Sequence, residues 1–540
     1  MFAIAQLATV SSIYVNKVFF QTGSSTHFWT QLPESLIYRP AFYSMSKMTF
    51  PIFLFYIVSC VYFGYAEEKF IAAVYEHVPF FPNSIQAPVS QEEALSLMNK
   101  NLDVLETAVI RAAQKKAHII VTPEYAICCF GLSREAVYPY LEDIPEPAVN
   151  WTPCNDPQRF GRTPVQNRLS CMAKKSHIYL VANLGDKKQC NSSDSRCPEN
   201  GHFFYDTTIA FDPKGKLVAR YHKYHLFFGE VQFNVPEEPE ISTFNTPFGK
   251  FGIFICYDIL FYNPAVPLVS QHNVDTIIFT TAWFNLLPHY SAIQFHSAWA
   301  MSMRTNLLSS NIHNTSLGIT GSGVFSPDKL GPYYYNKDQD EGHLVISELR
   351  SHPRHSANCS LVSWNLFASK ISKPPSKNKV FKGKVFLDVF NLTELKDYNG
   401  NITVCHNNLC CHLSYSMLEK RNDEVYVFGA YDGLHGPHQV FYVEVCTLLK
   451  YNSLESLAEA PKNAITKFES FSVSGTFNSS HVFPEVLLSG VKLAPELFEV
   501  LNDGRLVSNA NISSHALLSV TLLGRNYKKD PEDLNVSLLS

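Results

Sequence analysis

Short apolar runs alternate with a helical pattern over roughly residues 68–350 of this 540-residue chain, which limits the folds it can adopt. Ser90 and Glu93 match a helix capping box, and apolar residues recur behind them every three or four positions to about Lys116. Alternating strands and helices predict an α/β domain over roughly residues 68–350. TTIAFDPKGKLVARYHK reads as a hairpin and SAIQFHSAWAMSMRTNLL as a helix; the other predicted strands are FIAAVYEHV, HIIVTPE, SHIYLVANLG, FGKFGIFICYDIL and VDTIIFTTAWF.

The pattern changes at a Pro-, Ser- and Lys-rich stretch over residues 370–380, which we interpret as part of a linker spanning 351–378. Beyond it, short runs of alternating apolar and polar residues are separated by turn residues. This predicts a β-rich second domain over residues 379–540. No catalytic constellation stands out in that domain.

Composition describes an ordinary globular protein and excludes some partners. Hydrophobic residues make up 46% of the chain, charged residues 17%, and the formal net charge is −4. Basic residues form no long run, so nucleic acid is not an expected partner. We expect a small-molecule partner, and the sequence does not predict an oligomeric state.

A secretory signal is predicted inside the chain rather than at its first residue. Residues 45–66 read MSKMTFPIFLFYIVSCVYFGYA, with Lys47 before an apolar core and small residues at the end. A membrane anchor is the alternative, although the run is short for a span of roughly 20 residues. Residues 1–44 form an extension of unclear status. The C-terminus shows no hydrophobic tail of the glycolipid-anchor type, so we expect a secreted, extracellular protein.

Glycosylation sequons and cysteines agree with secretion. Asn150 starts the weakest sequon, because Pro153 follows its Thr; the stronger ones start at Asn191, Asn314, Asn358, Asn391, Asn401, Asn478, Asn511 and Asn535. Cysteines cluster in two regions where we expect disulfides without deducing the pairing: Cys154, Cys171, Cys190 and Cys197, then Cys405, Cys410, Cys411 and Cys446. Zinc-type Cys-x-x-Cys spacing is missing, so we expect no metal.

Three residues at the ends of predicted strands carry the chemistry: Glu124 in HIIVTPE, Lys223 in VARYHK and Cys256 in FGIFICYDIL. Separately they read as an exposed carboxylate, a surface lysine and a core cysteine. Together, a carboxylate, an ammonium and a thiol can cleave an amide through a thioester. Strand alternation in ICYD would place Asp258 on the same side as Cys256, which indicates a polar pocket. His222 and His225 beside Lys223 are interpreted as structural.

VTPE, RYHKYHLF with Glu230 beyond it, and GIFICYD resemble the Glu–Lys–Cys pattern of the nitrilase superfamily. The resemblance is closer to its secreted branch, the vanins (pantetheinases) and biotinidase. It extends from about residue 70 to 530 through segments that include YPYLEDIPEPAVNWTPC, FHSAWAMSM, CCHLSY and GAYDGLHG. Vanin is favoured over biotinidase by ARYHKYHLF, FHSAWAMSMR and the NIH segment at 311–313. The resemblance implies an αββα sandwich followed by a β-rich base domain.

The resemblance also implies an activity: hydrolysis of pantetheine to pantothenate and cysteamine, without a cofactor or metal. Cys256 would be the nucleophile, Glu124 the proton carrier and Lys223 the group beside the oxyanion. Glu230 matches a second glutamate that orients the lysine and the water. The substrate pocket is expected around Trp283, His289, Phe295 and Trp299.

The sequence departs from the vanin pattern immediately after Glu124. Vanins usually continue with Asp and a Tyr-Gly-Trp-like stretch, whereas this chain reads EYAICCFG, with Tyr125 and the neighbours Cys128 and Cys129. Two buried free thiols are expected there, with oxidation of the pair as the alternative. Two cysteines that vanins carry after Cys446 are missing, which predicts the loss of one disulfide.

Two other functions stay open at this stage. One is an amidase of the same branch that acts on a biotinyl amide or another small amide. The other is a catalytically impaired glycoprotein that acts through binding, which the altered EYAICCFG segment allows and the intact triple argues against.

Overall fold

The computed structural model describes residues 68–328, 330–355, 362–371, 379–452 and 460–531. The predicted extension (1–44), the predicted signal (45–66) and the sequons at Asn358 and Asn535 lie outside these residues. Among the helices in the described ranges, none combines the length and apolar character needed to cross a bilayer.

Six strands form the first sheet, whose centre is parallel. They are β1 (Lys69–Glu76), β2 (Ile119–Val121), β3 (Tyr179–Gln189), β4 (His202–Phe211), β5 (Leu217–His222) and β12 (His343–Arg350). Their order is β12-β1-β2-β3-β4-β5, with parallel pairing of β1 with β2 and of β2 with β3. The predicted hairpin is β4 and β5, which pair antiparallel.

A second six-stranded sheet has the same mixed character. Its strands are β6 (Ser242–Thr246), β7 (Gly249–Ile255), β8 (Thr276–Thr281), β9 (Asn306–Asn311), β10 (Ser322–Phe325) and β11 (Tyr333–Tyr334). Their order is β11-β10-β9-β8-β7-β6, and β7, β8 and β9 run parallel.

Helices cover the outer faces of the two sheets. They are α1 (Gln91–Gln114), α2 (Arg134–Val137), α3 (Pro164–Ser176), α4 (Ala265–Ser270) and α5 (Ala292–Met303). Short 3-10 segments lie at Tyr138–Tyr140, Pro147–Val149, Cys256–Leu260, Thr315–Leu317, Pro353–His355, Ala368–Lys370, Ala510–Ser514 and Tyr527–Lys529.

Alternation along β1 shows how the layers form. Phe70, Ala72 and Val74 pack into the core shared with the second sheet, whereas Ala73 faces the core that contains α1. Helices α4 and α5 contribute to the core on the far side of the second sheet. The predicted αββα sandwich is therefore confirmed.

Two further sheets form the C-terminal region. The larger contains β13 (Phe381–Val385), β14 (Asp388–Glu394), β17 (Val425–Leu434), β18 (Tyr442–Tyr451), β20 (His481–Leu488), β21 (Lys492–Leu493) and β24 (Leu517–Arg525), in the order β13-β14-β17-β18-β24-β20-β21. The smaller contains β15 (Asn399–His406), β16 (Leu409–Glu419), β19 (Lys467–Gly475), β22 (Phe498–Val500) and β23 (Leu506–Ser508), in the order β15-β16-β19-β23-β22.

The larger C-terminal sheet is covered on both faces. Residues such as Phe428 and Leu448 pack against the smaller sheet, while Val443 and Phe483 belong to the core of the αββα region. Phe483 contacts Phe295 of α5, with ring centroids 5.6 Å apart. The β-rich C-terminal region is thus a sandwich joined to the first domain by apolar packing.

Disulfides form within each predicted cysteine cluster. The bonded pairs are Cys154–Cys171, Cys190–Cys197, Cys405–Cys410 and Cys411–Cys446.

Candidate active site

Glu124, Lys223 and Cys256 meet between the two sheets of the first domain. Glu124 follows β2 and Lys223 follows β5, both in the first sheet, whereas Cys256 follows β7 in the second. All three are buried, with 0%, 1% and 7% of their surface exposed. Residues about 130 positions apart in the chain thus share one water-poor site, as the strand ends predicted.

Lys223 lies at the centre of a cluster of carboxylates. Its Nζ donates to Glu124 Oε1 at 2.7 Å and to both oxygens of Glu230 at 2.7 and 2.8 Å, and it lies 3.7 Å from Asp206 Oδ2. The other oxygen of Glu124 accepts a hydrogen bond from the backbone N–H of Ala282 at 2.6 Å. Glu124 is therefore fixed from both sides.

Burial controls the protonation of the cluster. It raises the pKa of Glu124 well above the usual range, and the Lys223 charge offsets only part of that effect. Burial opposes the Lys223 ammonium, but Glu124 and Glu230 outweigh it, so the pKa of Lys223 is raised well above normal. Burial also raises the pKa of Glu230. Lys223 therefore stays charged while it contacts three acidic side chains. Burial favours the protonated form of a carboxyl and the Lys223 charge favours the ionised form, so these carboxylates are suited to take up and release a proton.

The three carboxylates of Glu124, Asp206 and Glu230 are close enough to share a metal ion. The Lys223 ammonium already lies against all three, so it supplies the positive charge that a cation would bring.

Cys256 is the free thiol among the cysteines that the structure describes. Burial, followed by the nearby Glu124 carboxylate, raises the pKa of the Cys256 thiol well above its usual value, while Lys223 partly offsets them. The resting side chain is therefore a thiol, and its attack on a substrate needs a base. The backbone of Cys256 is left-handed, with φ at 47°.

The local geometry after Cys256 corrects the prediction based on strand alternation. Strand β7 ends at Ile255, and Cys256–Leu260 forms a 3-10 turn. Asp258 is fully buried and accepts hydrogen bonds from the Tyr221 hydroxyl and the backbone N–H groups of Ile255 and His225, at 2.8, 3.1 and 2.8 Å. It therefore anchors the turn that carries Cys256 and does not line the cavity.

A cavity of about 400 Å³ opens onto Cys256 and Glu124. Both domains supply its walls, and most of the lining side chains are aromatic or aliphatic. The first domain contributes Tyr125, Phe130, Phe227, Phe228, Glu230, Gln232, Tyr257, Leu260, Trp283, Phe284, Leu286 and Tyr290; the C-terminal domain contributes Phe386, Leu387, His435, Pro437, His438, Val440 and Phe441. Such a mainly apolar cleft with a few polar groups is typical of a small-molecule site.

Comparison with known proteins agrees with this geometry. Residues 84–306 match the carbon-nitrogen hydrolase family, and residues 379–530 match the vanin C-terminal domain. A pantetheinase from Bos taurus is 55% identical over 473 residues, covering 87% of this chain and 92% of the relative. The chain belongs to the vanin family of carbon-nitrogen hydrolases. A Bos taurus biotinidase is 38% identical over 86% of this chain and 93% of the relative. An amidase structure from Nesterenkonia sp. shows 18% identity and a TM-score of 0.36, covering 54% of this chain and 94% of that one.

This vanin departs from the sequence predictions in the segment after Glu124. Cys128 and Cys129 form a disulfide instead of two free thiols. Tyr125 has a role that its sequence context did not indicate: its hydroxyl donates to Glu230 Oε1 at 2.7 Å, and its ring lines the cavity. The altered segment thus reaches the catalytic cluster through Tyr125.

Among the predicted pocket residues, only Trp283 lines the cavity of this vanin. His289 is buried between the two domains, with Nε2 3.3 Å from Thr447 Oγ1. Phe295 stacks behind Trp283, with ring centroids 5.9 Å apart, and Trp299 is a core residue against Phe254. These three pocket predictions are wrong, because His289 packs against the C-terminal domain, and Phe295 and Trp299 are core residues.

The histidines next to Lys223 in this vanin bind carboxylates. His222 contacts Asp186 and Glu240 at 2.8 and 2.9 Å, and His225 contacts Asp258 at 3.0 Å. Both position their strand end, in agreement with the structural interpretation.

Sequence reasoning missed the C-terminal wall of the cavity. Its main loop, GLHGPHQVF, combines two glycines with two histidines, a composition unusual for a plain hairpin. That composition was the available signal, but nothing in the sequence shows which loop of the second domain faces the first.

Proposed function

We propose that the chain hydrolyses pantetheine to pantothenate and cysteamine. One observation carries the proposal: Glu124 and Cys256 line a mainly apolar cavity, and Lys223 binds Glu124 beside it, in a chain 55% identical to a pantetheinase over 87% of its length. A thiol, a carboxylate and an ammonium can together cleave an amide through a thioester.

Acylation begins with transfer of the thiol proton of Cys256 to Glu124 as the sulfur attacks the scissile carbonyl. The new S–C bond places negative charge on the carbonyl oxygen, which the Lys223 ammonium stabilises. As the intermediate collapses, the C–N bond breaks and Glu124 returns its proton to the leaving nitrogen. Cysteamine departs, and pantothenate remains bound to Cys256 as a thioester.

Deacylation uses the same groups in reverse. Glu124 accepts a proton from water, the water oxygen bonds to the thioester carbonyl, and Lys223 again faces the oxyanion. The C–S bond breaks, and the proton returns to the Cys256 sulfur. The raised pKa of Glu124 suits its role as proton carrier, because the buried carboxyl binds a proton more tightly than an exposed one does.

Glu230 is proposed as a positioning residue. It binds the Lys223 ammonium through both oxygens and accepts the backbone N–H of Phe227 at 2.7 Å. These bonds hold Lys223 between its two glutamate partners throughout the cycle.

We also propose that the protein is secreted and glycosylated. The predicted signal at 45–66 supports secretion. Four of the stronger sequons have exposed asparagines: Asn191, Asn401, Asn478 and Asn511. Asn391 is half-buried, and its side-chain amide donates to Cys405 O at 2.8 Å, so it is a poorer acceptor. Peptide mapping of the secreted protein after glycosidase treatment tests these sites.

The proposed activity is tested by incubating the purified secreted protein with pantetheine and measuring free cysteamine. We expect turnover by the wild type and a loss of roughly 10⁴-fold in Cys256→Ala. Absence of turnover by the wild type would contradict the proposed substrate. Equal turnover in both proteins would remove Cys256 from the mechanism.

Biocytin serves as the parallel substrate, because the biotinidase relative at 38% identity represents the second candidate activity. We expect pantetheine to be cleaved with the higher kcat/KM. Preference for biocytin would assign the chain to that activity instead.

A further inference from the structure

Two loops of the C-terminal domain face the catalytic cluster across the cavity. One is the turn between β13 and β14, which supplies Phe386 and Leu387; the other follows β17 and supplies residues 435–438, Val440 and Phe441. The wall they form is apolar except at its histidines. His438 is exposed at the surface, whereas the side chain of His435 is only 12% exposed.

His435 is held in one orientation. Its Nδ1 lies 2.6 Å from Asp388 Oδ2, and the other oxygen of Asp388 accepts the backbone N–H of Gly436 at 2.8 Å. The imidazole stacks with Phe386 and Phe441, with ring centroids 5.7 and 4.9 Å apart. A buried carboxylate and two aromatic rings therefore fix the imidazole plane.

This anchoring determines what His435 offers the cavity. A carboxylate accepts hydrogen bonds, so Nδ1 carries the proton, and in the neutral ring Nε2 presents a lone pair. Among the described residues Nε2 has no hydrogen-bond partner, and His435 lines the cavity. The site thus contains an oriented acceptor in an otherwise apolar wall, well placed to select a ligand with a hydroxyl or amide N–H donor.

We propose that His435, positioned by Asp388, is a specificity-determining residue that accepts a hydrogen bond from the acyl arm of the substrate. The inference rests on the proposed function. In pantetheine the acyl side of the scissile amide carries two hydroxyls and a second amide, whereas the leaving side carries only two carbons and a thiol. The acyl arm therefore carries the hydrogen-bond donors that Nε2 can accept.

The test compares two substrates that share the scissile amide: pantetheine and β-alanyl-cysteamine, which lacks the pantoyl group. In His435→Leu we expect KM for pantetheine to rise about tenfold with little change in kcat, and the kinetics of the truncated substrate to stay as in the wild type. His435→Gln keeps a donor for Asp388 and an acceptor for substrate, so we expect it to recover most of the lost affinity.

The outcomes separate the inference from the proposed function. Equal losses on both substrates, or no loss on pantetheine, would contradict the role of His435 while leaving the activity intact. A wild type that does not cleave pantetheine would contradict both. Thermal unfolding of each variant checks the fold, and His435→Asn, which is too short to reach the cavity, replaces His435→Leu if that variant does not fold.

Discussion

At the residue scale, the site depends on a single cation shared by several acids. Lys223 contacts Glu124, Glu230 and Asp206, and its charge stabilises whichever carboxylates are ionised. Its burial alone would be costly for an ammonium, and the paired carboxylates offset that cost. The sequence placed Lys223 at a strand end but could not show that it is buried, because a lysine that closes a hairpin is usually exposed.

Removing the hydroxyl of Tyr125 should weaken the cluster without changing its shape. Tyr125→Phe deletes the hydrogen bond to Glu230, and a hydrogen bond to a charged group is worth about 1.5–3 kcal/mol. We expect kcat/KM for pantetheine to fall about tenfold. Because that bond lowers the pKa of Glu230, its loss should move the acidic limb of the kcat/KM profile to higher pH. Rates measured between pH 4 and pH 9 check this.

Tyr138→Phe is the matched control, since Tyr138 is an exposed tyrosine outside the cavity. It should leave the pH profile unchanged. A profile for Tyr125→Phe that coincides with the wild-type curve would show that Tyr125 does not position Glu230.

At the scale of secondary-structure elements, predictions from local sequence patterns were accurate where local interactions determine the structure. Helix α1 begins with the predicted capping box, in which Ser90 Oγ accepts from Glu93 N at 3.2 Å and Glu93 Oε2 from Ser90 N at 2.9 Å. The prediction for Asp258 was wrong because β7 ends one residue before Cys256. A left-handed residue followed by a 3-10 turn has no signature in a run as apolar as FGIFICYDIL.

The start of α3 carries a pH-dependent contact. Glu142 accepts hydrogen bonds from the backbone N–H groups of Val165 and Gln166 at 2.7 and 3.1 Å. Burial raises the pKa of Glu142 to about 7, although these bonds partly lower it. The folded state therefore binds this proton more tightly than the unfolded chain. The stability gained from this tighter proton binding is fully present below pH 4.5 and is lost as the pH rises through about 7.

We expect wild-type stability to fall relative to Glu142→Gln, by about 2 kcal/mol between pH 5 and pH 8, because the glutamine cannot ionise. Urea unfolding of both proteins at the two pH values measures the difference. If the difference in unfolding free energy between the two proteins stayed constant, or if the wild type gained stability relative to Glu142→Gln as the pH rose, Glu142 would be ionised throughout this range.

At the scale of the whole molecule, the C-terminal domain completes the active site. The predicted α/β and β-rich halves are present, since each follows from local periodicity. Their mutual placement could not be predicted, because it depends on packing between Phe483 and Phe295 and between Phe441 and Phe261, residues far apart in the chain. The pocket assignment for His289 was wrong for that reason, whereas Phe295 and Trp299 are core residues.

Arg525 links the C-terminal domain to the catalytic turn. It is fully buried, donates through Nε to Leu260 O at 2.8 Å and pairs with Asp530 at 2.6 Å. Arg525→Met removes the ion-pair partner of Asp530 and frees the end of the turn that carries Cys256. We expect a loss of roughly 3–5 kcal/mol in stability and reduced turnover of pantetheine. Thermal unfolding and the cysteamine assay measure both.

Arg421→Met is the control for that variant, because Arg421 pairs with Asp423 on the exposed surface of the same domain. Its unfolding temperature and activity should match the wild type. If Arg525→Met behaved in the same way, the buried arginine would not couple the two domains.

The central claim is that Cys256 forms a thioester with the acyl part of pantetheine. The most direct measurement adds hydroxylamine to the reaction and identifies the acyl products by mass spectrometry. Hydroxylamine competes with water for a thioester, so the wild type should yield the hydroxamate of pantothenate together with cysteamine, and Cys256→Ala should yield neither. Steady release of cysteamine with pantothenate as the sole acyl product at high hydroxylamine would contradict the covalent mechanism.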